Sequence, residues 1–242
     1  MLIPSEQDFA AAVALWREWN SRINVISRKD EESIFAHHIL HSLAIAQYLE
    51  LYYPAVDGIP PEGRNTRGSI AGGPSRRDGG VSPQDELPKG VYHQPWSILD
   101  VGCGGGFPGI PLAMVMPEAM FTLCDSIGKK VKVAQAVADG LGLQNVECVN
   151  ARVETLKGEW DWVVSRAVTS LENFYPWVKG RFRKSILYLK GGDINVEIAA
   201  LQHKYHIPNE NIRTWRVDSW IKDEYFAEKY VIEIANKVLF KP

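Results

Sequence analysis

Two carboxylates and a run of glycines are the residues in this chain whose types and spacing suit chemistry. Asp100, Gly102, Gly104 and Gly106 alternate along one short stretch, and Asp125 follows one helix and one strand later. Five glycines (102, 104, 105, 106 and 109) fall within eight residues. Without Cβ, glycine adopts positive φ and lets backbone approach a ligand closely. A carboxylate at the end of the next strand can accept both hydroxyls of a ribose, because it has two acceptor oxygens. The chemistry indicated is therefore the binding of a nucleoside-containing cofactor. Gly104-x-Gly106-x-x-Gly109 also fits the dinucleotide fingerprint, which leaves a nicotinamide cofactor open, and Asp125 does not separate the two readings. A glycine-rich turn with a capping Asp and no ligand is disfavoured, since strand, turn, helix and second acid all agree.

The elements that position these residues read as an α/β alternation. Residues 98–101 form a short buried strand that runs into the glycines. Pro108 and Pro111 suit the first turn of a helix, where a missing N–H costs nothing, and Pro117 ends that helix. Residues 120–124 are a second strand ending at Asp125. Ser126 is placed to cap a helix over 128–141 that carries Lys129, Lys130 and Lys132 near its start. These lysines oppose the helix dipole and hint at an anionic partner, with a solvated face as the alternative. Residues 145–149 read as a third strand followed by a loop at 150–154. Residues 160–165 read as a fourth, leading to Arg166-Ala167, and 185–189 as a fifth with Lys190 at its exit. Helices are expected over 170–180 and 193–205, and 214–220 with 229–235 alternate like an antiparallel pair.

Ahead of this core, 5–20 and 31–53 show helical spacing, the first with Ser5 and Asp8 in capping positions. His37, His38 and His41 share the second helix, but zinc would want further ligands, and no Cys or His cluster supplies them. Residues 57–94 contain eight glycines and five prolines with five basic and five acidic side chains, so a flexible insertion is expected there. Three domain-level segments follow: a helical extension over 1–56, the insertion, and the main domain over 95–242.

Bulk composition narrows the function. Hydrophobic content of 45% and charged content of 23% are those of a soluble globular protein, and the net charge of −2 gives no overall pull toward nucleic acid. Any contact with RNA must come from a local patch. The candidates are Arg17, Arg22, Arg28 and Lys29, then Lys129, Lys130 and Lys132, then Arg181, Arg183 and Lys184, and they are expected to flank one pocket mouth. Cys103, Cys124 and Cys148 have no metal or redox spacing and read as reduced core thiols. No basic leader or membrane-length apolar run is visible, so a soluble, cytoplasmic protein is expected.

The register Asp100-x-Gly102-x-Gly104-x-Gly106 resembles the first motif of class I S-adenosylmethionine-dependent methyltransferases. More specific phrases accompany it: Gly-Phe-Pro-Gly-Ile-Pro (106–111), Leu-Cys-Asp-Ser-Ile-Gly-Lys-Lys (123–130), Ala-Arg-Val-Glu (151–154), Ser-Arg-Ala (165–167) and Leu-Lys-Gly (189–191). With Trp19-Asn20 and His38-Ile-Leu-His-Ser-Leu43 ahead of them, the chain resembles the RsmG (GidB) family over nearly all of its length outside 57–94. That resemblance implies methylation of N7 of a guanosine in bacterial 16S ribosomal RNA. It implies a Rossmann-like sheet of about seven strands, the last pair antiparallel, with an N-terminal helical extension. The implied cofactor is S-adenosylmethionine, held by Asp100, Gly102, Gly104, Phe107, Asp125, Val153, Glu154 and Arg166. The family often has Asp where this chain has His41.

Guanine N7 already carries an exposed lone pair, so no general base is expected, and the enzyme's task is placement. Arg166 is the residue expected to position substrate or cofactor, with a salt bridge to Asp161 or Glu154 as its ordinary alternative. Lys129, Lys130 and Lys190 are the RNA-contact candidates, Lys190 as a phosphate contact. The partner implied is 16S RNA or the 30S subunit, met by a monomer without a membrane. The rivals are a methyltransferase of the same fold acting on another RNA, a protein or a small molecule, a nicotinamide-dependent reductase, and a catalytically silent RNA-binding module.

Overall fold

The computed structural model describes residues 3–54 and 95–236. The Gly/Pro-rich segment expected over 57–94 lies outside the described residues. Seven strands form one sheet in the order β3-β2-β1-β4-β5-β7-β6. β1 (Ser97–Val101), β2 (Met120–Asp125), β3 (Val146–Asn150), β4 (Trp160–Arg166) and β5 (Phe182–Gly191) are mutually parallel, while β7 (Lys229–Ala235) runs antiparallel to β5 and to β6 (Ile212–Arg216). Both faces of the central strands are covered. For that reason they read as continuous apolar runs such as Leu-Tyr-Leu at 187–189, without polar alternation.

The winding direction reverses between β1 and β4, and in such sheets ligands bind outside the carboxyl ends of the strands at that point. One face packs against α2 (His41–Tyr52), α3 (Gly109–Val115) and α4 (Gly128–Gly140), with α1 (Ala10–Asn20) lying against α4, and Phe9, Trp16, Leu43, Leu112 and Val137 share this core. The other face packs against α5 (Leu171–Val178) and α6 (Asn195–Tyr205), through Leu171, Phe174, Val178 and Leu201. The N-terminal helices thus share one core with the sheet.

Several boundaries differ from the sequence expectation. The first helix opens with a 3-10 turn over Glu6–Phe9, where the Asp8 carboxylate accepts from the Ser5 N–H and hydroxyl at 2.8 Å each. The helix expected over 31–53 is three pieces: a 3-10 turn (Glu31–Ser33), a π-helical stretch (Ile34–Leu40), and α2. Ser126 does not cap α4. Ile127 occupies the N-cap position, and the Asp125 carboxylate takes the Ile127 N–H at 2.8 Å. β6 ends at Arg216 rather than running to 220, because the chain turns through a 3-10 segment at Val217–Ser219.

Glu233, at 0% exposure in β7, ties the extension to the sheet. Its carboxylate accepts from Tyr48 (2.6 Å), Tyr53 (2.5 Å) and Ser185 (2.6 Å), with Arg213 at 3.8 Å. Burial and this carboxylate push both phenols upward, so they remain donors. Glu233→Gln keeps the shape but replaces charge-assisted bonds with neutral ones, and is expected to cost about 1–2 kcal/mol. In a chain of this size that is a drop in Tm of about 2–8 °C by calorimetry, and an unchanged Tm would contradict the role.

Candidate functional site

A cavity of about 430 Å³ opens at the carboxyl ends of β1, β2 and β4. Gly102, Gly104, Phe107 and Asp125 line one side, with Val153, Glu154 and Arg166 completing it. Seven of the eight residues expected at a cofactor therefore meet at one place. Gly102 has φ +71°, and a Cβ on it would stand 2.4 Å from Val168 Cγ2. Gly104 has φ +54° and faces open space, with nothing within 4 Å of where a side chain would begin.

Asp125 pins two elements at once. One carboxylate oxygen accepts the Gly104 N–H at 3.0 Å and the other the Ile127 N–H at 2.8 Å, so the glycine loop and the start of α4 are tied to the end of β2. Each oxygen has a second lone pair for a further donor.

Asp100 is the exception. It does not line the cavity but lies beneath the loop at 0% exposure, with one oxygen accepting the Gly109 N–H at 2.8 Å. Its other oxygen is buried with no hydrogen-bond partner among the described residues. Burial pushes this carboxyl up to about 7, against the opposing pull of the Gly109 bond and the Arg166 charge. An unfolded Asp titrates near 3.9. Between about pH 4 and pH 7 the native chain therefore holds a proton that the unfolded chain has released, and stability falls with rising pH by at most about 1.4 kcal/mol per unit. The effect is absent below the unfolded value and complete above the native one. Wild-type stability relative to Asp100→Asn, measured by denaturant titration, should decline from pH 5 to pH 8; a flat difference would contradict the shift.

From the N-terminal extension Val25, in the loop after α1, reaches the cavity wall, and α1 supports that wall from behind. The Trp16 indole N–H donates to the Gly105 carbonyl at 2.8 Å, and its ring stacks on Phe107 with centroids 4.2 Å apart. The Asn20 side-chain oxygen accepts the Val25 and Ile26 N–H groups at 2.9 Å each, holding Val25 against Gly105. The Arg166 guanidinium carbon lies 5.1 Å from the Phe107 ring centroid. Arg166 donates to the His37 carbonyl (3.2 Å) and to His38 Nδ1 (2.7 Å), and not to Asp161 or Glu154. Burial lowers Arg166 to about 10, which leaves it charged at neutral pH. Burial and the Arg166 charge push His38 down to about 3, so it is neutral. A guanidinium only donates, so the His38 proton resides on Nε2.

A second cavity of about 540 Å³ shares Arg166, Ala167 and Val168 with the first. His38, His41, Thr169, Lys190, Tyr225 and Lys229 line the rest of it. Ala167, in the shared wall, has φ +53°, a conformation that costs a non-glycine residue energy and concentrates at functional sites. His41 is buried, and desolvation together with Arg166 and Lys229 pushes it well below its ordinary value. The histidines do not converge on a metal: His37 Nδ1 faces Asp30 at 3.0 Å and His38 Nδ1 faces Arg166.

The expected RNA contacts separate. Lys130 lines the first cavity and Lys190 the second, whereas Lys129 lines neither. Lys190 Nζ is 2.8 Å from Glu197 and donates to the Thr169 carbonyl. The single basic mouth expected from sequence does not form as a whole. Arg183 and Lys184 sit at the amino end of β5, the opposite end from both cavities, and Arg183 pairs with Asp161 at 3.0 Å. Arg22 and Arg17 face Glu18 and Glu32. Cys103 lines the first cavity, but burial raises its thiol well above the ordinary value, so it offers no nucleophile.

Sequence reasoning missed Val25, Ile127, Val168, Trp177, Tyr225 and Lys229 as wall residues. Ile127 and Val168 are 43% and 36% exposed, a sign of apolar ligand surface that only coordinates reveal.

Residues 88–217, from before β1 to just beyond β6, match the family model of GidB, rRNA small subunit methyltransferase G. The ribosomal RNA small subunit methyltransferase G of Flavobacterium psychrophilum is 35% identical over 237 residues, covering 95% of this chain and 90% of that protein. The protein of the same name from Phocaeicola vulgatus is 37% identical over 238 residues, covering 94% of this chain and 90% of its own length. A likeness of that extent, with the glycine loop, Asp125 and Arg166 gathered around one cavity, places the chain in its family: it belongs to the GidB family of small-subunit rRNA methyltransferases.

Proposed function

We propose that this protein transfers a methyl group from S-adenosylmethionine to N7 of a guanosine in 16S ribosomal RNA, acting in the cytoplasm as a monomer on the RNA or the 30S subunit. The observation that carries this reading is the shared wall: Arg166, Ala167 and Val168 border both cavities, so a donor in the first and an acceptor in the second meet across it. The first cavity fits the cofactor in size, in the open backbone at Gly104 and in the carboxylate of Asp125. When bound there, S-adenosylmethionine supplies an electrophilic methyl on its sulfonium sulfur.

Gly102 and Gly104 allow close backbone approach, Asp125 accepts from the ribose hydroxyls, and Val153, Glu154 and Ile127 border the adenine. Phe107 and Arg166 close the reacting end, and Asp100 acts from beneath by holding the loop. No carboxylate lines the second cavity among the described residues, and its cationic and neutral donors suit an acceptor that needs no deprotonation. Guanine N7 is such an acceptor, presenting a lone pair on its major-groove edge. Residues 1–56 act as an extension packed on a catalytic unit that occupies 95–242.

The test is methyl transfer from labelled S-adenosylmethionine to unmethylated 30S particles, naked 16S RNA and a tRNA pool, followed by nucleoside analysis. Label in 7-methylguanosine from ribosomal RNA is the expected result. Cofactor binding without label in any RNA would overturn it in favour of a protein or small-molecule acceptor.

A further inference from the structure

The second cavity holds three cations, and they are not equivalent. Arg166 directs two of its five N–H donors at the His37 carbonyl and His38 Nδ1, which turns its guanidinium toward the π-helical stretch. Lys190 is neutralised by Glu197 at 2.8 Å and gives a further bond to the Thr169 carbonyl. Lys229, the first residue of β7, has no carboxylate within ion-pair distance among the described residues. The antiparallel register sets it opposite Gly191, and its ammonium lies so close over that glycine that a Cβ there would be 2.9 Å from Nζ. The ammonium is also held 5.0 Å from the centroid of the Tyr225 ring. That ring is itself fixed, stacked on His37 with centroids 3.7 Å apart and planes 7° apart, and bonded through its hydroxyl to the His37 carbonyl. Lys229 is thus a half-buried, pre-positioned charge with ammonium donors to spare.

We propose that Lys229 binds a phosphodiester oxygen beside the target nucleotide, and that Lys190, the lysine that stands out in the sequence, does not carry this contact. The proposal rests on the rRNA-methyltransferase reading and names the backbone contact of its acceptor cavity. Two features support it: an uncompensated cation with free ammonium donors is what a phosphate requires, and the Tyr225–His37 stack beside Lys229 lowers the entropy cost of holding it in place.

The test uses the full chain with 30S particles and 16S RNA. Lys229→Ala is expected to raise KM for RNA about tenfold while kcat stays within about twofold and cofactor affinity is unchanged, since a phosphate contact positions without touching the chemistry. Direct RNA binding titrated against salt should lose about one unit of its log–log slope. Lys229→Arg should restore both, and Lys190→Ala should leave the slope within about half a unit, because that charge is already neutralised. Wild-type KM and slope in Lys229→Ala would overturn the assignment, as would a loss of cofactor affinity in the same variant, which would mark a structural role. Absence of 7-methylguanosine with the wild-type enzyme would instead overturn the functional reading, and the salt titration still decides whether Lys229 holds phosphate.

Discussion

Arg166→Ala is expected to lower kcat for methyl transfer by about 10²–10³-fold, a loss comparable to removing a pre-organised polar group from other active sites. The reason is geometric. Arg166 borders both cavities, lies against Phe107, and bonds two consecutive residues of the π-helical stretch. When the enzyme's contribution is placement, a displacement of the wall between donor and acceptor acts on the rate itself. The truncation also leaves the His37 carbonyl with the Tyr225 hydroxyl as its remaining side-chain donor and His38 Nδ1 without its partner. Arg166→Lys should recover little. An ammonium has the charge but not the planar fork that reaches His37 and His38 together while lying against a ring. Turnover at saturating cofactor and RNA, with circular dichroism to confirm folding, is the measurement. A folded Arg166→Ala enzyme with kcat within threefold of wild type would refute the role.

Asp125→Ala is expected to weaken S-adenosylmethionine binding about 100-fold, consistent with the loss of charge-assisted hydrogen bonds worth about 1.5–3 kcal/mol each. Two effects combine. The carboxylate no longer accepts from the ribose, and the Gly104 and Ile127 N–H groups lose the acceptor that sets the loop against α4. Asp125→Asn discriminates further. Its single oxygen can serve Gly104 or Ile127 but not both, and its NH2 then faces an N–H, so asparagine should bind cofactor nearly as poorly as alanine. Calorimetric titration of both variants with S-adenosylmethionine checks this. Wild-type affinity in Asp125→Ala would remove the ribose contact, and wild-type affinity in Asp125→Asn would remove the double-acceptor argument.

Much of the architecture was legible before any coordinates. Strands buried on both faces are largely apolar, so β1 and β2 stand out, and the glycines between them mark a turn that takes positive φ. The three-part second helix was not legible, because a π-helical stretch of seven residues leaves the apolar spacing of a helix almost intact. Its consequence matters, since that stretch presents His37 and His38 to Arg166.

The sequence by itself determined the α/β alternation, the glycine loop, the carboxylate at the end of β2, Arg166 at the end of β4 and the family resemblance, because each depends on residue type at short range. The tertiary structure decided which of two similar residues faces a cavity. Asp100 and Asp125 both stand near strand ends. Asp100 is one residue short of its end, paired with Leu123 and Val164 and covered by the loop, whereas Asp125 is the last residue of β2 and reaches the cavity. Lys190 and Lys229 both border the second cavity, yet a helix that begins five residues beyond Lys190 returns Glu197 to it, while strand register leaves Lys229 over a glycine. Local sequence carries residue type and spacing; burial and charge pairing depend on segments far apart in the chain, and only packing brings those together.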